Sequence, residues 1–138
     1  MQRIQAERPQ ALLLLRGSVE EVPMLEEILA LARLPNAAVV GNGLRPLFAL
    51  YEAAHSMISV DTGPAHAAAA ASLPLVVLYG AENPAHWLPR SPSGSPVVGV
   101  GGPPVATRAD QVSVETLFEA WRSLSTPAKP AALGAAQR

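Results

Sequence analysis

The sequence predicts an α/β fold, a Rossmann-like parallel sheet with flanking helices. Three observations lead there. Short apolar runs alternate with segments of helical periodicity, and each of the first four runs is followed by a glycine-bearing turn. The composition, 49% hydrophobic against 15% charged, is that of a globular chain rather than a disordered one. Strict alternation of strand and helix calls for right-handed crossovers and therefore parallel pairing. At 138 residues the chain reads as one domain over 1–125, followed by a disordered, low-complexity tail over 126–138 (TPAKPAALGAAQR).

Residues 11–15 (ALLLL) have the continuous apolar pattern of a strand buried on both faces. Arg16, Gly17 and Ser18 turn the chain into a helix with Leu25, Ile28, Leu29 and Ala32 at helical spacing. Glu20 and Glu21 stand at its start, where acidic side chains suit the helix dipole. Pro35 and Asn36 end it, and residues 37–40 (AAVV) read as the second strand. After Gly41-Asn42-Gly43, residues 44–54 form a helix that tolerates Pro46 in its first turn. Residues 57–60 (MISV) are the third strand, 63–72 the third helix and 75–79 (LVVLY) the fourth strand. The Pro-, Gly- and Ser-rich stretch from 80 to 111 has room for one short strand near 96–100. The last helix spans 113–124, with Ser113 as its cap and Val114, Leu117, Phe118 and Trp121 on one face.

Bulk numbers exclude several functions. A net charge of −1 lacks the basic balance of a nucleic-acid binder. With no cysteine there is no disulfide framework and no thiolate metal site. The three histidines have no carboxylate at ligand spacing, so no metal is expected. His55 and His86 are expected to carry no function. There is no signal-peptide pattern and no apolar run long enough to span a bilayer, so the expected location is the cytoplasm.

In a parallel sheet the strand-to-helix turns share the carboxyl edge, where ligands of open α/β folds bind. Four turns qualify: Arg16-Gly17-Ser18, Gly41-Asn42-Gly43, Asp61-Thr62-Gly63-Pro64 and Gly80-Ala81-Glu82-Asn83. Tight turns favour Gly, Asn, Asp and Ser for their own sake, and for the first two that reading is at least as good. The third turn, SVDTGPAH, says more. Thr62 or Gly63 caps a helix, and Pro64 falls in its first turn, where a missing N–H costs nothing. The free amides and the positive end of the dipole make an anion site. His66 lies three residues past Gly63 and can face the same mouth. Asp61 is expected to brace the turn by accepting backbone N–H bonds. The chain's one lysine is Lys129, so phosphate charge would have to meet the helix end or Arg16, Arg45 or Arg90.

The block SVDTGPAHAAAAASLPLVVLYGAENPAHWLPR resembles the C-terminal signature of family 9 glycosyltransferases, the ADP-heptose:lipopolysaccharide heptosyltransferases and their relatives. That signature runs D-[ST]-G-x-x-H-x-x-A-A, a short gap, a Pro-led apolar strand, then [FY]-G-P-T-x-P. The segments GNGLRPLFALYEAAHSM and LLLLRGSVEEVPMLEEI resemble the family's preceding helix and its acidic helix start. The resemblance covers residues 10–90 or so, with the final helix matching in placement alone. It implies the C-terminal, nucleotide-sugar-binding half of a two-domain GT-B enzyme. Thr62, Gly63 and His66 would then contact the diphosphate, with Asp61 bracing the turn. Asn42 would line the adenine pocket, and an acidic residue after Gly17, either Glu20 or Glu21, would hold the ribose.

The donor would be ADP-linked, and no cofactor or metal is implied. The acceptor, a lipopolysaccharide or another glycan, would sit in a second domain that also supplies the catalytic base. This chain alone would then be inactive, prone to self-association through an exposed interdomain surface, and at most peripheral at the inner face of the bacterial inner membrane. Where the family has Gly-Pro-Thr the chain has Gly80-Ala81-Glu82, which puts a carboxylate near the diphosphate mouth. The alternative function is a non-catalytic Rossmann-like module whose apolar edge serves as an interaction surface.

Overall fold

A computed structural model describes residues 1–41 and 44–124. The chain forms two compact units, Met1–Ala54 and a second that begins at His55. In the first unit a short helix α1 (Gln2–Glu7) leads into strand β1 (Leu13–Leu15), helix α2 (Val22–Ala32), strand β2 (Ala37–Val39) and helix α3 (Leu44–Ala53). Strands β1 and β2 pair in parallel, Leu13 opposite Ala37 through Leu15 opposite Val39. Helix α2 packs on β2. The helix α1 was not foreseen from the sequence. Its buried Gln5 explains the chain path: Gln5 Nε2 donates to the carbonyls of Arg8, Pro9 and Ala11 at 3.3, 3.1 and 3.0 Å. One side chain thus holds the turn that delivers the chain to β1.

Two expectations for this unit are corrected. Strand β1 is not buried on both faces, because Leu12 and Leu14 are exposed. Leu12 and Leu14 share one face of the chain there, while Leu13 and Leu15 on the other are half-buried. The first turn of α2 holds no acidic residue; Pro23 occupies it, and Glu20 and Glu21 lie just before the helix. The helix ends at Ala32, the last residue of its periodicity, on a left-handed cap, Arg33 at φ 51°.

The second unit is a three-stranded parallel sheet in the order β3-β4-β5 with helices packed on it. Its elements are β3 (Met57–Val60), helix α4 (Gly63–Ala70), β4 (Leu75–Tyr79), helix α5 (Pro84–Trp87), β5 (Val97–Gly101) and helix α6 (Val114–Ser123), with a 3-10 turn at Ala109–Gln111. Met57 lies opposite Leu75, and Leu75 opposite Val97. The central strand β4 has Leu75, Val76, Val77 and Tyr79 at 0% exposure, which is why its sequence is apolar without alternation.

Helix α4 buries Ala65, Ala68 and Ala69 completely against β3 and β4. Their spacing of three and four residues places them on one stripe, and side chains of one carbon let the helix lie close to the sheet. The helix ends in a Schellman arrangement: Leu73 N–H donates to Ala68 O at 3.0 Å and Ser72 N–H to Ala69 O at 2.9 Å, with Ser72 at φ 63°. It is therefore two residues shorter than the expected 63–72.

Helix α6 starts as expected, with Ser113 Oγ accepting the Thr116 amide at 3.0 Å. Its buried face differs by one residue. Val114 is exposed, and the stripe is Leu117, Phe118, Trp121 and Leu124 instead. Trp121 Nε1 donates to Ser56 Oγ at 3.1 Å, which ties α6 to the entry of β3. The helix α5 inside the Pro-rich stretch was also not foreseen. It is a single turn capped by Asn83, whose Oδ1 accepts the Ala85 amide at 2.9 Å.

The fold class is thus the expected one, parallel sheets flanked by helices. The strands form two ladders rather than one continuous sheet among the described residues. The tail over 126–138 lies outside those residues.

Candidate functional site

The β3–α4 connection gathers four of the candidate residues. Val60 ends β3, Asp61 follows, Thr62 is the N-cap with extended backbone (φ −148°, ψ 166°), and Gly63-Pro64 open the helix. Of the two candidate caps, Thr62 is therefore the one. The Thr62 carbonyl accepts the amides of Ala65 and His66 at 2.9 and 3.4 Å. Its hydroxyl does not cap the helix; it points back to Val60 O at 3.3 Å. The Gly63 amide is left without a side-chain cap, at the positive end of an eight-residue helix. A Cβ added at Gly63 would meet no atom within 4 Å, so the space beside its Cα is open.

Asp61 does not brace the turn by accepting backbone amides, as the sequence suggested. Its Oδ1 lies 3.5 Å from His66 Nε2, an ion pair whenever the imidazole is protonated. The reason is geometric. His66 is the fourth residue of α4, so its imidazole reaches back over the N-terminus toward the strand end. Asp61 is the more buried of the two, at 19% side-chain exposure against 47% for His66. Asp61, Thr62, Gly63 and His66 thus share one rim, with a carboxylate and an imidazole facing each other across a free helix end.

One participant was missed. Tyr79, the last residue of β4, is 0% exposed, and its hydroxyl has no hydrogen-bond partner. Burial pushes its phenol up to about 12, and the Asp61 charge adds to the effect. A tyrosine closing an otherwise aliphatic run, LVVLY, was the available signal. Next to it, Gly80, Ala81, Glu82 and Asn83 connect β4 to α5. Glu82 is exposed there, and Asn83 serves the cap of α5. His55 and His86 are exposed.

In the first unit the β1–α2 connection holds Gly17 and Glu20. Its working carboxylate is Glu21, whose Oε2 accepts the Ser18 amide at 2.6 Å. A Cβ at Gly17 would sit 2.7 Å from that oxygen, so the glycine makes room for the Glu21 carboxylate. Glu20 is fully exposed, and its carboxyl is held below the ordinary value by hydrogen bonds to its own backbone amide and to Ser18. Asn42 lies outside the described residues. No three His, Asp or Glu side chains converge at metal-ligand spacing among the described residues.

With that geometry in hand, comparison with known proteins decides the family. The sequence model of glycosyltransferase family 9 (heptosyltransferase) matches residues 2–115. The chain belongs to glycosyltransferase family 9. The match takes in both strand-to-helix connections described above and reaches the start of α6. A crystal structure of a glycosyl transferase family 9 protein from Veillonella parvula DSM 2008 has the same fold, with a TM-score of 0.68 at 20% sequence identity. That match covers 85% of this chain and 37% of the Veillonella chain, so the present sequence spans a little over a third of that relative. Among curated proteins none matches the sequence. Family membership makes sugar transfer the chemistry to which this chain is related, and no helix among its described residues is long and apolar enough to cross a membrane.

Proposed function

We propose that this chain is the nucleotide-sugar-binding part of a family 9 glycosyltransferase, with the donor diphosphate at the N-terminus of α4. The single observation that carries the reading is the uncapped Gly63 amide at the head of α4, flanked by Thr62 and by the Asp61–His66 pair. Backbone amides and a helix dipole aimed into open space suit a diphosphate, since they supply positive potential without a steric barrier. His66 Nε2, 3.5 Å from Asp61 Oδ1, is the side-chain donor proposed for a phosphate oxygen. The same group would steady the negative charge that develops on a departing nucleoside diphosphate. In the first unit, Glu20 or Glu21 beside Gly17 is the proposed ribose contact, and Asn42 the proposed adenine contact.

The proposed donor is an ADP-linked heptose or a related sugar, and the acceptor is a lipopolysaccharide or another glycan. Transfer would be inverting and would need no metal, with a base outside this chain activating the acceptor hydroxyl. Alone, the chain is proposed to bind donor and not to turn it over; the 37% coverage of a family relative supports this. The proposed place of action is the cytoplasmic face of the bacterial inner membrane. Large apolar side chains that stand exposed, among them Leu12, Leu31, Val105 and Val114, support self-association of the isolated chain.

Titration of the isotope-labelled chain with ADP, followed by amide NMR, tests the reading. The amides of Thr62, Gly63 and His66 should move first. If they stay in place at millimolar ADP while other amides shift, the donor site is not at α4. If ADP moves no amide at all, the alternative of a non-catalytic interaction module gains the ground.

A further inference from the structure

Among the described residues Arg16, like Gln5 and Tyr79, carries a buried side-chain polar atom with no hydrogen-bond partner. It follows the last residue of β1 and immediately precedes the Gly17-Ser18 turn, at the carboxyl end of a parallel strand. The residue is part-buried, and its Nε is buried with no hydrogen-bond partner. Among the described residues the ion pairs Asp61–His66, Arg108–Asp110 and Glu119–Arg122 leave it out. The carboxylate five positions on, Glu21, is already engaged by the Ser18 amide. The neighbour that feels the Arg16 charge is Tyr51 of α3. Burial pushes its phenol up, and the guanidinium pulls it part of the way back.

A guanidinium held partly out of water without an anion is an unfavourable arrangement. The chain forgoes the hydration of a permanent cation and gains no pair in return. Surface arginines avoid this by extending into solvent, but here the Nε is enclosed. The arrangement is resolved if a group from outside supplies the anion. The planar fork of an arginine matches two oxygens of a phosphate at once.

We infer that Arg16 is an oxyanion contact, its guanidinium taking a phosphate group of a ligand at the carboxyl end of β1. The inference rests on the nucleotide-sugar reading only for what carries the phosphate. Glu21 then has a second consequence. Because its carboxylate occupies the Ser18 amide, that amide is not open to an incoming anion, and the Arg16 cation is the attractive element in this connection.

The experiment follows the Nε–Hε resonance of Arg16 in the labelled wild-type chain during titration with inorganic pyrophosphate and, separately, with ADP. The Arg16 resonance should shift and sharpen with at least one of them. Arg16→Gln should weaken binding of that probe by roughly 10- to 100-fold, the usual weight of a charge-assisted hydrogen bond. Arg16→Lys, which keeps the charge without the fork, should fall between the two. A shift with pyrophosphate alone shows a bare phosphate contact, and a shift with ADP alone shows a phosphate read within a nucleotide; both support the inference. An unmoved Arg16 resonance with either probe overturns it, as does wild-type affinity in a folded Arg16→Gln chain. If Thr62, Gly63 and His66 move with ADP while Arg16 does not, this inference fails and the donor site at α4 stands. If Arg16 moves with pyrophosphate while ADP leaves the α4 amides in place, the inference stands and the donor reading fails.

Discussion

Replacing Tyr79 with phenylalanine removes one oxygen from the centre of the second unit and leaves the ring in place. The ring packs beside Gly99, where an added Cβ would lie 3.3 Å from Tyr79 Cε2, so the aromatic body is needed for shape. The hydroxyl is different: it is buried and makes no hydrogen bond. An unpaired buried hydroxyl costs about 1–3 kcal/mol of desolvation. Tyr79→Phe should therefore leave stability at pH 7 unchanged or raise it by about 1 kcal/mol, whereas most core substitutions lower it.

The alkaline limb gives a second, independent magnitude. The phenol titrates near 10 in an unfolded chain and at about 12 in the fold, because burial and then the Asp61 charge disfavour the phenolate. A folded pKa above the unfolded one means the contribution is fully present below pH 10. It is lost as pH rises through 12. At pH 11 the wild type should have lost about 1.4 kcal/mol through this group, a loss that Tyr79→Phe cannot show. The assay is urea unfolding followed by tryptophan fluorescence at pH 7, 9, 10 and 11. Trp87 and Trp121 both belong to the second unit, so the signal reports on the unit that holds Tyr79. A loss of 1 kcal/mol or more at pH 7 in Tyr79→Phe, or equal alkaline slopes for the two proteins, would refute the reasoning.

Gly63→Val should fold normally, since its side chain enters open space, but should weaken ADP binding by at least about tenfold by calorimetry. His55→Ala is its control and should bind as wild type; equal affinities for the two variants would count against an anion nest at α4. Gly101→Ala should lose roughly 2–4 kcal/mol in urea unfolding, because residue 101 has φ 80° and its new methyl would run into the Tyr79 carbonyl. Normal stability there would mean that the end of β5 shifts easily.

Much of the fold was legible from residue order. The alternation of apolar runs with helical stripes marked β1 to β5, α2 to α4 and α6, and LVVLY matched β4 residue for residue. Local chemistry of this kind reads directly because a fully buried central strand has no polar face to disguise it. The turn signals were equally plain at Ser113, whose hydroxyl reaches an amide three residues ahead. Helix α1 and helix α5 escaped notice because each has two turns or fewer, too short for periodicity to show.

At the candidate site the sequence by itself determined where a strand meets a helix N-terminus and which polar groups stand near it. DTGPAH could be placed because glycine, proline and a capping threonine have backbone preferences that do not depend on distant residues. Tertiary structure alone decided which way those side chains point. Asp61 met His66 instead of backbone amides, Thr62 turned to Val60 O, and Glu21 rather than Glu20 took the Ser18 amide. It also decided which polar groups are left over, since an unmet partner is a property of the whole packed surroundings. Tyr79 looks ordinary in the sequence, and Arg16 is there only one of three candidate arginines; both become exceptional once their neighbours are in place.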